Sequence, residues 1–273
     1  MPITLSIIIV NYNTLELTSK CIQSVLENLN VLTFEIILVD NNSDEVDADL
    51  FLEKFPVIKL IKSKANLGFA KGNNLGIANA AGNYILLLNS DAQLQGDSVS
   101  HLINFLEANP KIAVTTTQLV FPNGSLQHNC QRFPSVKAKA FELLRLQKIA
   151  PKTGGHVLLG PFFKYNEVAY PDWVWGTFFL FRKDLLQQLP DHKLADDFFM
   201  YGEDMQWCFE FHKRGYRMAF VPTTPVVHHM GMSRGNAKKW MAEHHQQFLN
   251  KYYGPLHRFM LRLLDRLLGL TAR

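Results

Sequence analysis

Cysteine is scarce: Cys21, Cys130 and Cys208 are the only three in 273 residues, and no two form a CxxC pair. A disulfide framework and a thiolate zinc site are thereby excluded, and free thiols in a reducing compartment are expected. No apolar run reaches the roughly 18 uncharged residues of a membrane-spanning helix. The apolar start, Met1 to Val10, lacks a basic flank and stops at Asn11, so no secretion signal is expected and the cytoplasm is the default location. The glycine-rich phosphate loop ending in Lys-Ser/Thr is missing, as are the dinucleotide fingerprint and any zinc motif. There is no repeat and no low-complexity segment. The net charge is only +4, with basic residues scattered through most of the chain. That pattern gives no nucleic-acid stripe, but it suits phosphate-bearing substrates or an anionic membrane surface.

What is present is globular. Apolar residues make up 47% and charged residues 19%, enough for one large domain, or one domain with a tail. Twenty phenylalanines either fill a core or line a groove. Short β-branched runs at Leu5 to Val10, Phe34 to Val39, Val57 to Ile61 and Tyr84 to Leu88 predict buried strands. Between them lie helical patterns at Leu17 to Leu29 (capped by Thr14), Val46 to Phe55 and Lys71 to Ala80. Such alternation predicts an α/β fold with a mainly parallel sheet and helices on both faces. Further on, a helix is expected at Val99 to Ala108, one strand at Ile112 to Val120 and a helix at Val136 to Leu146, in a 128–171 stretch otherwise read as a loop over the site. A strand or strand pair at Trp173 to Phe181, a helix at Glu203 to Lys213 and a strand at Arg217 to Val221 follow. From Tyr253 onward, leucines share one helical face and arginines another. That helix either packs on the domain or a twin subunit, or lies on an anionic membrane.

Ligands of such sheets bind beyond the carboxyl ends of the strands. Three of those ends carry polar clusters, at residues 11–13, 40–43 and 89–91. Asp91 is either a turn residue or a hard-oxygen ligand for Mg²⁺ or Mn²⁺ bridging to phosphates. Asp40, with Asn41, Asn42 and Ser43, is either an Asx-rich turn or an acceptor for a base or ribose. Gly68 and its neighbours form a helix cap or a place where backbone approaches a polar ligand. Glu203 and Asp204 are either capping charges at a helix start or a cleft pair, one of which deprotonates an acceptor hydroxyl. His228 and His229 have no diagnostic spacing. Trp173, Trp175 and Phe178 form an apolar wall or part of the core.

Seven segments in order resemble the inverting glycosyltransferases of family two, in their rhamnosyltransferase-like branch. They are SIIIVNYNT (6–14), ILVDNNS (37–43), NLGFAKGNNLGI (66–77), YILLLNSDA (84–92), DWVWGTFFLFRKDLL (172–186), FFMYGED (198–204) and RGYRMAFVPTTPVVHH (214–229). The resemblance implies a GT-A-type single domain with a central mixed sheet. It implies a catalytic domain over 1–235, with a nucleotide-sugar part to about 125 and an acceptor part to 235, then a basic amphipathic tail over 236–273. Asn11, Tyr12, Asp40, Asn42, Asn66, Gly68, Asn74, Asn89 and Ser90 would border the nucleotide sugar. The family's Asp-x-Asp metal motif falls on Asn89-Ser90-Asp91. That leaves Asp91 as the acidic ligand of Mg²⁺ or Mn²⁺, joined by His229 or His228, with His229 slightly preferred. Asp204 matches the base, with Glu203 beside it, and Trp173, Trp175 and Gly176 fall on the acceptor side. Two departures lie there as well: Gln206 stands where the branch commonly has an acid, and Asp191 to Asp197 replace a Gly-Gly-Phe-Asp-Glu turn.

The implied reaction moves a sugar, L-rhamnose from dTDP-rhamnose by branch resemblance, to a saccharide or lipid-linked acceptor. A UDP-hexose or UDP-N-acetylhexosamine donor is the alternative within the fold. A nucleotidyltransferase would need a basic glycine-rich loop after the first strand, where this chain has Asn-Tyr-Asn-Thr. A non-catalytic carbohydrate- or membrane-binding protein is disfavoured by the adjacent acids. No nucleic-acid partner is expected. A homodimer or a peripheral contact with the inner face of the cytoplasmic membrane is what the tail suggests.

Overall fold

The structure is a computed structural model describing residues 3–230 and 237–269. β1 (Leu5–Asn11), α1 (Leu15–Asn28), β2 (Phe34–Asp40), α2 (Leu50–Lys54), β3 (Lys59–Lys62), α3 (Gly68–Ala78) and β4 (Tyr84–Leu88) alternate through the first third. β5 (Ala92–Leu94), α4 (Ser98–Ala108), β6 (Ile112–Thr116), β7 (Leu119–Val120), β8 (Leu126–Gln127) and β9 (Cys130–Gln131) follow. Next come α5 (Val136–Leu143), α6 (Leu146–Ile149), α7 (Pro151–Leu158), β10 (Trp173–Val174) and β11 (Phe178–Arg182). The chain continues through α8 (Glu203–Lys213), β12 (Arg217–Phe220), β13 (Val226–His228), α9 (Ala237–Tyr252) and α10 (Pro255–Leu267).

The main sheet has the order β12-β6-β11-β4-β1-β2-β3, and β11 alone runs antiparallel to its neighbours. This is the expected α/β architecture. Side chains alternate across a strand, and both faces are apolar. Ile8, Ile37, Val39, Ile85, Leu87, Phe179 and Phe181 meet α3, α8 and Phe248 of α9 on one face. Ile7, Ile9, Ile36, Leu38, Leu86, Phe178 and Leu180 meet α1, α2 and α4 on the other. Each such buried side chain contributes roughly 1.5–3 kcal/mol against exposure. The fully buried phenylalanines are core, Phe178 included. All three cysteines are free and buried, and burial pushes their thiols up.

Several boundaries move. α3 starts three residues before Lys71, at Gly68, and β3 is shifted to Lys59–Lys62. Only Leu50–Lys54 of the expected 46–55 helix forms. The expected single strand at 112–120 breaks at Thr117, whose hydroxyl bonds Thr223 (2.7 Å) and whose carbonyl accepts from Asn129. Its second part joins a separate sheet of order β5-β13-β7-β8. The 173–181 run is a strand pair parted at Gly176. The presumed loop after Leu143 contains α6 and α7, the latter opened by Pro151, whose fixed φ suits a first helical turn. Thr14 sits at the cap position of α1 without capping it. The expected boundary at 235/236 lies outside the described residues. α9 inserts Phe248 into the main core, and α10 packs on α5 through Leu261 and Leu264, with Asp265 paired to Lys139.

Candidate active site

The parallel register of β1 and β2 sets Asn11 opposite Asp40 at the strand ends. Both are buried. Asn11 Nδ2 donates to Asp40 Oδ1 (2.9 Å), and the Ser43 N–H donates to Asp40 Oδ2 (3.1 Å). Asn11 Oδ1 accepts from the hydroxyls of Thr14 (2.9 Å) and Thr18 (2.8 Å). The Thr14 hydroxyl also lies 3.2 Å from Ser90 Oγ, which links the ends of β1 and β4. That is where the expected cap goes instead. Each Asp40 oxygen keeps a lone pair for a further donor. Tyr12 is exposed beside this cluster.

Asn42 is exposed in a left-handed turn (φ 64°), whereas its neighbour Asn41 is buried. Asn41 Nδ2 donates to Asn66 Oδ1 (3.0 Å) and Gly68 O (3.2 Å), and its Oδ1 accepts from Leu67 N–H (2.9 Å). Asn41 therefore shapes the 66–68 loop. Gly68 has φ +76°, and a Cβ there would stand 2.3 Å from the carbonyl oxygen of Phe199. Only glycine permits that approach. The next N–H, of Phe69, donates to the same oxygen at 2.8 Å. Asn74 commits both ends of its amide to the Leu194 backbone (2.8 and 3.2 Å), so it tethers the 191–197 segment.

Beyond β4 the chain passes through Asn89-Ser90-Asp91 into β5, and β5 pairs with β13 so that Ala92 faces His228. His228 Nε2 thus comes to 3.2 Å from Asp91 Oδ1, with both residues buried. His229 turns away, its Nε2 at 3.1 Å from Gln93 Nε2, although its N–H donates to the Asp91 carbonyl (3.0 Å). The ring at Asp91 is therefore that of His228. Gln127, buried on β8, lies against it: Nε2 donates to His228 O and Oε1 lies at Nδ1, both at 2.7 Å. Asn89 Oδ1 is buried without a hydrogen-bond partner, an oxygen left over two residues from Asp91. Among the described residues no three His, Cys, Asp or Glu converge into a preformed metal cage. A carboxylate oxygen and an imidazole nitrogen are donors that Mg²⁺ or Mn²⁺ can take, with substrate phosphates able to supply others.

The acids at the start of α8 differ from each other. Tyr201 (φ 67°) and Gly202 (φ 98°) turn the chain sharply before the helix. Glu203 is 5% exposed, with Oε2 buried and unpartnered, and burial followed by repulsion from Asp204 raises its carboxyl well above the usual range. Asp204 remains partly exposed. Its Oδ1 accepts from Met205 N–H (2.8 Å) and its Oδ2 from Gly176 N–H (3.2 Å). Burial pushes it up to about 6 against those two N–H groups. It is a carboxylate at neutral pH, but one close to a base's working range. The Tyr201 hydroxyl is pushed up by burial, then by the charges of Glu203 and Asp91, so the two acidic clusters share one region.

A Cβ on Gly176 would meet the Phe69 ring at 3.0 Å. Trp173 donates through Nε1 to Arg132 O (3.1 Å), and Trp175 packs, half-buried, on the core beneath α1 and α4. Gln206 is buried and donates to Asp197 and to the Tyr252 hydroxyl, tying α8 to α9. His244 of α9 reaches the carbonyls of Met200 and Tyr201 with Nδ1, each at 2.8 Å, and so braces the turn before Glu203. Gln127 and His244 lie outside the residues the sequence singles out, and Asn41 enters there only as part of the turn after Asp40. Only Asn41 had a signal, since it abuts Asp40 at a strand end.

The doubly covered, mostly parallel sheet is the GT-A-type fold of the solved glycosyltransferases on which the chain superposes. The family model described as glycosyl transferase family 2 matches residues 6–190, and the chain belongs to that family. The N-acetylglucosaminyl-diphospho-decaprenol L-rhamnosyltransferase of Mycobacterium tuberculosis is 25% identical over 236 residues, covering 77% of this chain and 72% of its own. A mannosyltransferase from Pyrobaculum calidifontis, solved with GDP-Man and Mn²⁺, superposes with a TM-score of 0.61 at 15% identity over 99% of this chain and 76% of that one. GalNAc-T7, solved with UDP, GalNAc and Mn²⁺, gives 0.62 at 15% identity over 83% of this chain. The match spans 43% of the GalNAc-T7 chain. Among the described residues no helix is long and apolar enough to cross a membrane.

Proposed function

We propose that the chain transfers a sugar from a nucleoside diphosphate donor to an acceptor hydroxyl in one displacement with inversion. Asp204 carries this reading: it is a carboxylate held near pKa 6, in the same region as Asp91 and His228. The acceptor oxygen bonds to the anomeric carbon as its proton passes to Asp204. The bond from that carbon to the diphosphate oxygen breaks, and the nucleoside diphosphate leaves with the electron pair. Asp40 and Asn11 hold the base and ribose end, with Tyr12 and Asn42 at its solvent edge and Asn66, Gly68 and Ser90 along the donor.

Asp91 and His228 would hold Mg²⁺ or Mn²⁺, with the unpartnered Asn89 oxygen two residues along the chain from Asp91. Such an ion neutralises charge on a diphosphate leaving group. Glu203, its carboxyl raised by burial and by Asp204, is the second acid beside the base. Trp173, Trp175 and Gly176 line the acceptor approach.

The donor we favour is dTDP-rhamnose, and the acceptor a saccharide or lipid-linked saccharide of cell-surface polysaccharide synthesis. The relative named as a rhamnosyltransferase supports this choice. A UDP-hexose or UDP-N-acetylhexosamine is the other candidate donor. We place the enzyme in the cytoplasm, in peripheral contact with the inner face of the membrane. The support is α10, which leaves Leu256, Phe259, Met260, Leu263 and Leu267 exposed beside the exposed Arg262 and Arg266 and the half-buried Arg258. A donor panel read by thermal shift with Mg²⁺ and Mn²⁺, followed by transfer assays, tests the reading. Absence of binding and transfer across the panel would favour a non-catalytic binding protein.

A further inference from the structure

The carboxamide of Gln127 closes two hydrogen bonds on one residue, 101 positions away. Its Nε2 donates to the His228 carbonyl, which fixes the other end of the amide as the oxygen. That oxygen faces His228 Nδ1 at 2.7 Å, so Nδ1 must carry a hydrogen. A flipped ring would present carbon there and leave a buried oxygen unpaired, at about 1–3 kcal/mol. Nε2 is then the nitrogen that points at Asp91. In a neutral ring it bears a lone pair, 3.2 Å from a carboxylate oxygen. Two electron-pair donors converge on one point, the arrangement that a cation satisfies. The small sheet produces it: β13 lies between β5, which follows Asp91, and β7, which pairs with the β8 that carries Gln127.

We propose that Gln127 is a positioning residue: it sets the tautomer and orientation of His228 so that Nε2 and Asp91 together take a divalent cation. This rests on reading Asp91 and His228 as the metal pair. Outer partners of ligating histidines commonly fix the ring in this way. A neutral amide does so without burying another charge.

The test uses the full chain. Nitrogen NMR of ¹⁵N-histidine-labelled protein at alkaline pH, with His228 assigned through H228A, reads the tautomer. Mn²⁺ titration with UDP and with dTDP, followed by electron paramagnetic resonance, reads affinity. We expect His228 to show hydrogen on Nδ1, Q127L to lose that signature, and its Mn²⁺ affinity to fall roughly 10–100-fold. Q127E, which still accepts from Nδ1 but no longer donates to the His228 carbonyl, retains the Nδ1–H signature. A folded Q127L with unchanged Mn²⁺ affinity, or an unsubstituted His228 carrying its hydrogen on Nε2, overturns the proposal. Should Q127L not fold, the unsubstituted spectrum and Q127E decide it. An intact Nδ1–H signature without Mn²⁺ affinity in the unsubstituted chain is a different failure, that of the metal reading.

Discussion

The backbone N–H of Gly176 donates to Asp204 Oδ2 across 3.2 Å, and so fastens the turn between β10 and β11 to the first turn of α8. The bond opposes the effect of burial, leaving a carboxylate that titrates near pH 6.

Activity should follow that titration. Asp204 protonates as pH falls through about 6, so the acid limb of the kcat/KM profile is expected there. Asp204→Asn should abolish transfer while nucleotide affinity is kept. Turnover close to that of the unsubstituted chain, in a folded variant, would remove Asp204 from the base role.

Stability should move the opposite way. The folded pKa lies above the ordinary 3.8, so between 3.8 and about 6 the folded chain binds more protons than the unfolded one. Stability therefore declines as pH rises through that window, and the cost is fully present above it. Glu203 acts in the same direction. At pH 7.5, Asp204→Asn is expected to gain on the order of 1–3 kcal/mol, with a smaller gain at pH 5. Denaturant melts at the two pH values measure the difference.

The two adjacent histidines should separate cleanly. His228→Ala is expected to raise the Mn²⁺ concentration needed for half-maximal activity by an order of magnitude or more, about 1.4 kcal/mol per tenfold. His229→Ala, facing Gln93, should change it little. The reverse ranking would return the metal role to His229.

Gly68→Ala combines a left-handed backbone with a Cβ 2.3 Å from Phe199 O. A loss of about 2 kcal/mol or more is expected, together with lower kcat. A neutral result in equilibrium unfolding would mean that the Phe199 segment relaxes freely.

The exposed face of α10 can be tested by co-sedimentation. Phe259→Glu with Leu263→Glu should abolish pelleting with phosphatidylglycerol vesicles and leave soluble-acceptor activity intact. Equal, negligible pelleting of both chains would count against membrane contact.

The strands were legible because buried parallel strands are short β-branched runs, and the strand-end acids because sheets of this kind bind ligands there. The break at Thr117 was hidden: Ile112 to Val120 is apolar enough for one strand, and only Asn129 and Thr223 bend it. Asp91 and Asp204 stood in recognisable local patterns. Gln127 and His244 did not, since each acts only through partners 101 and 43–44 residues distant. His228 and His229 were indistinguishable until the pairing of β13 with β5 oriented them.

The carbonyl of Phe199, three residues before Gly202, fills the side-chain position of Gly68, the first residue of α3. Residues 191–201 therefore cannot be exchanged for another segment alone. A transplanted segment must present its carbonyl where Phe199 presents its own, or residues 66–69 must travel with it. The unit of redesign is this pair of segments, joined at Gly68 and Phe199.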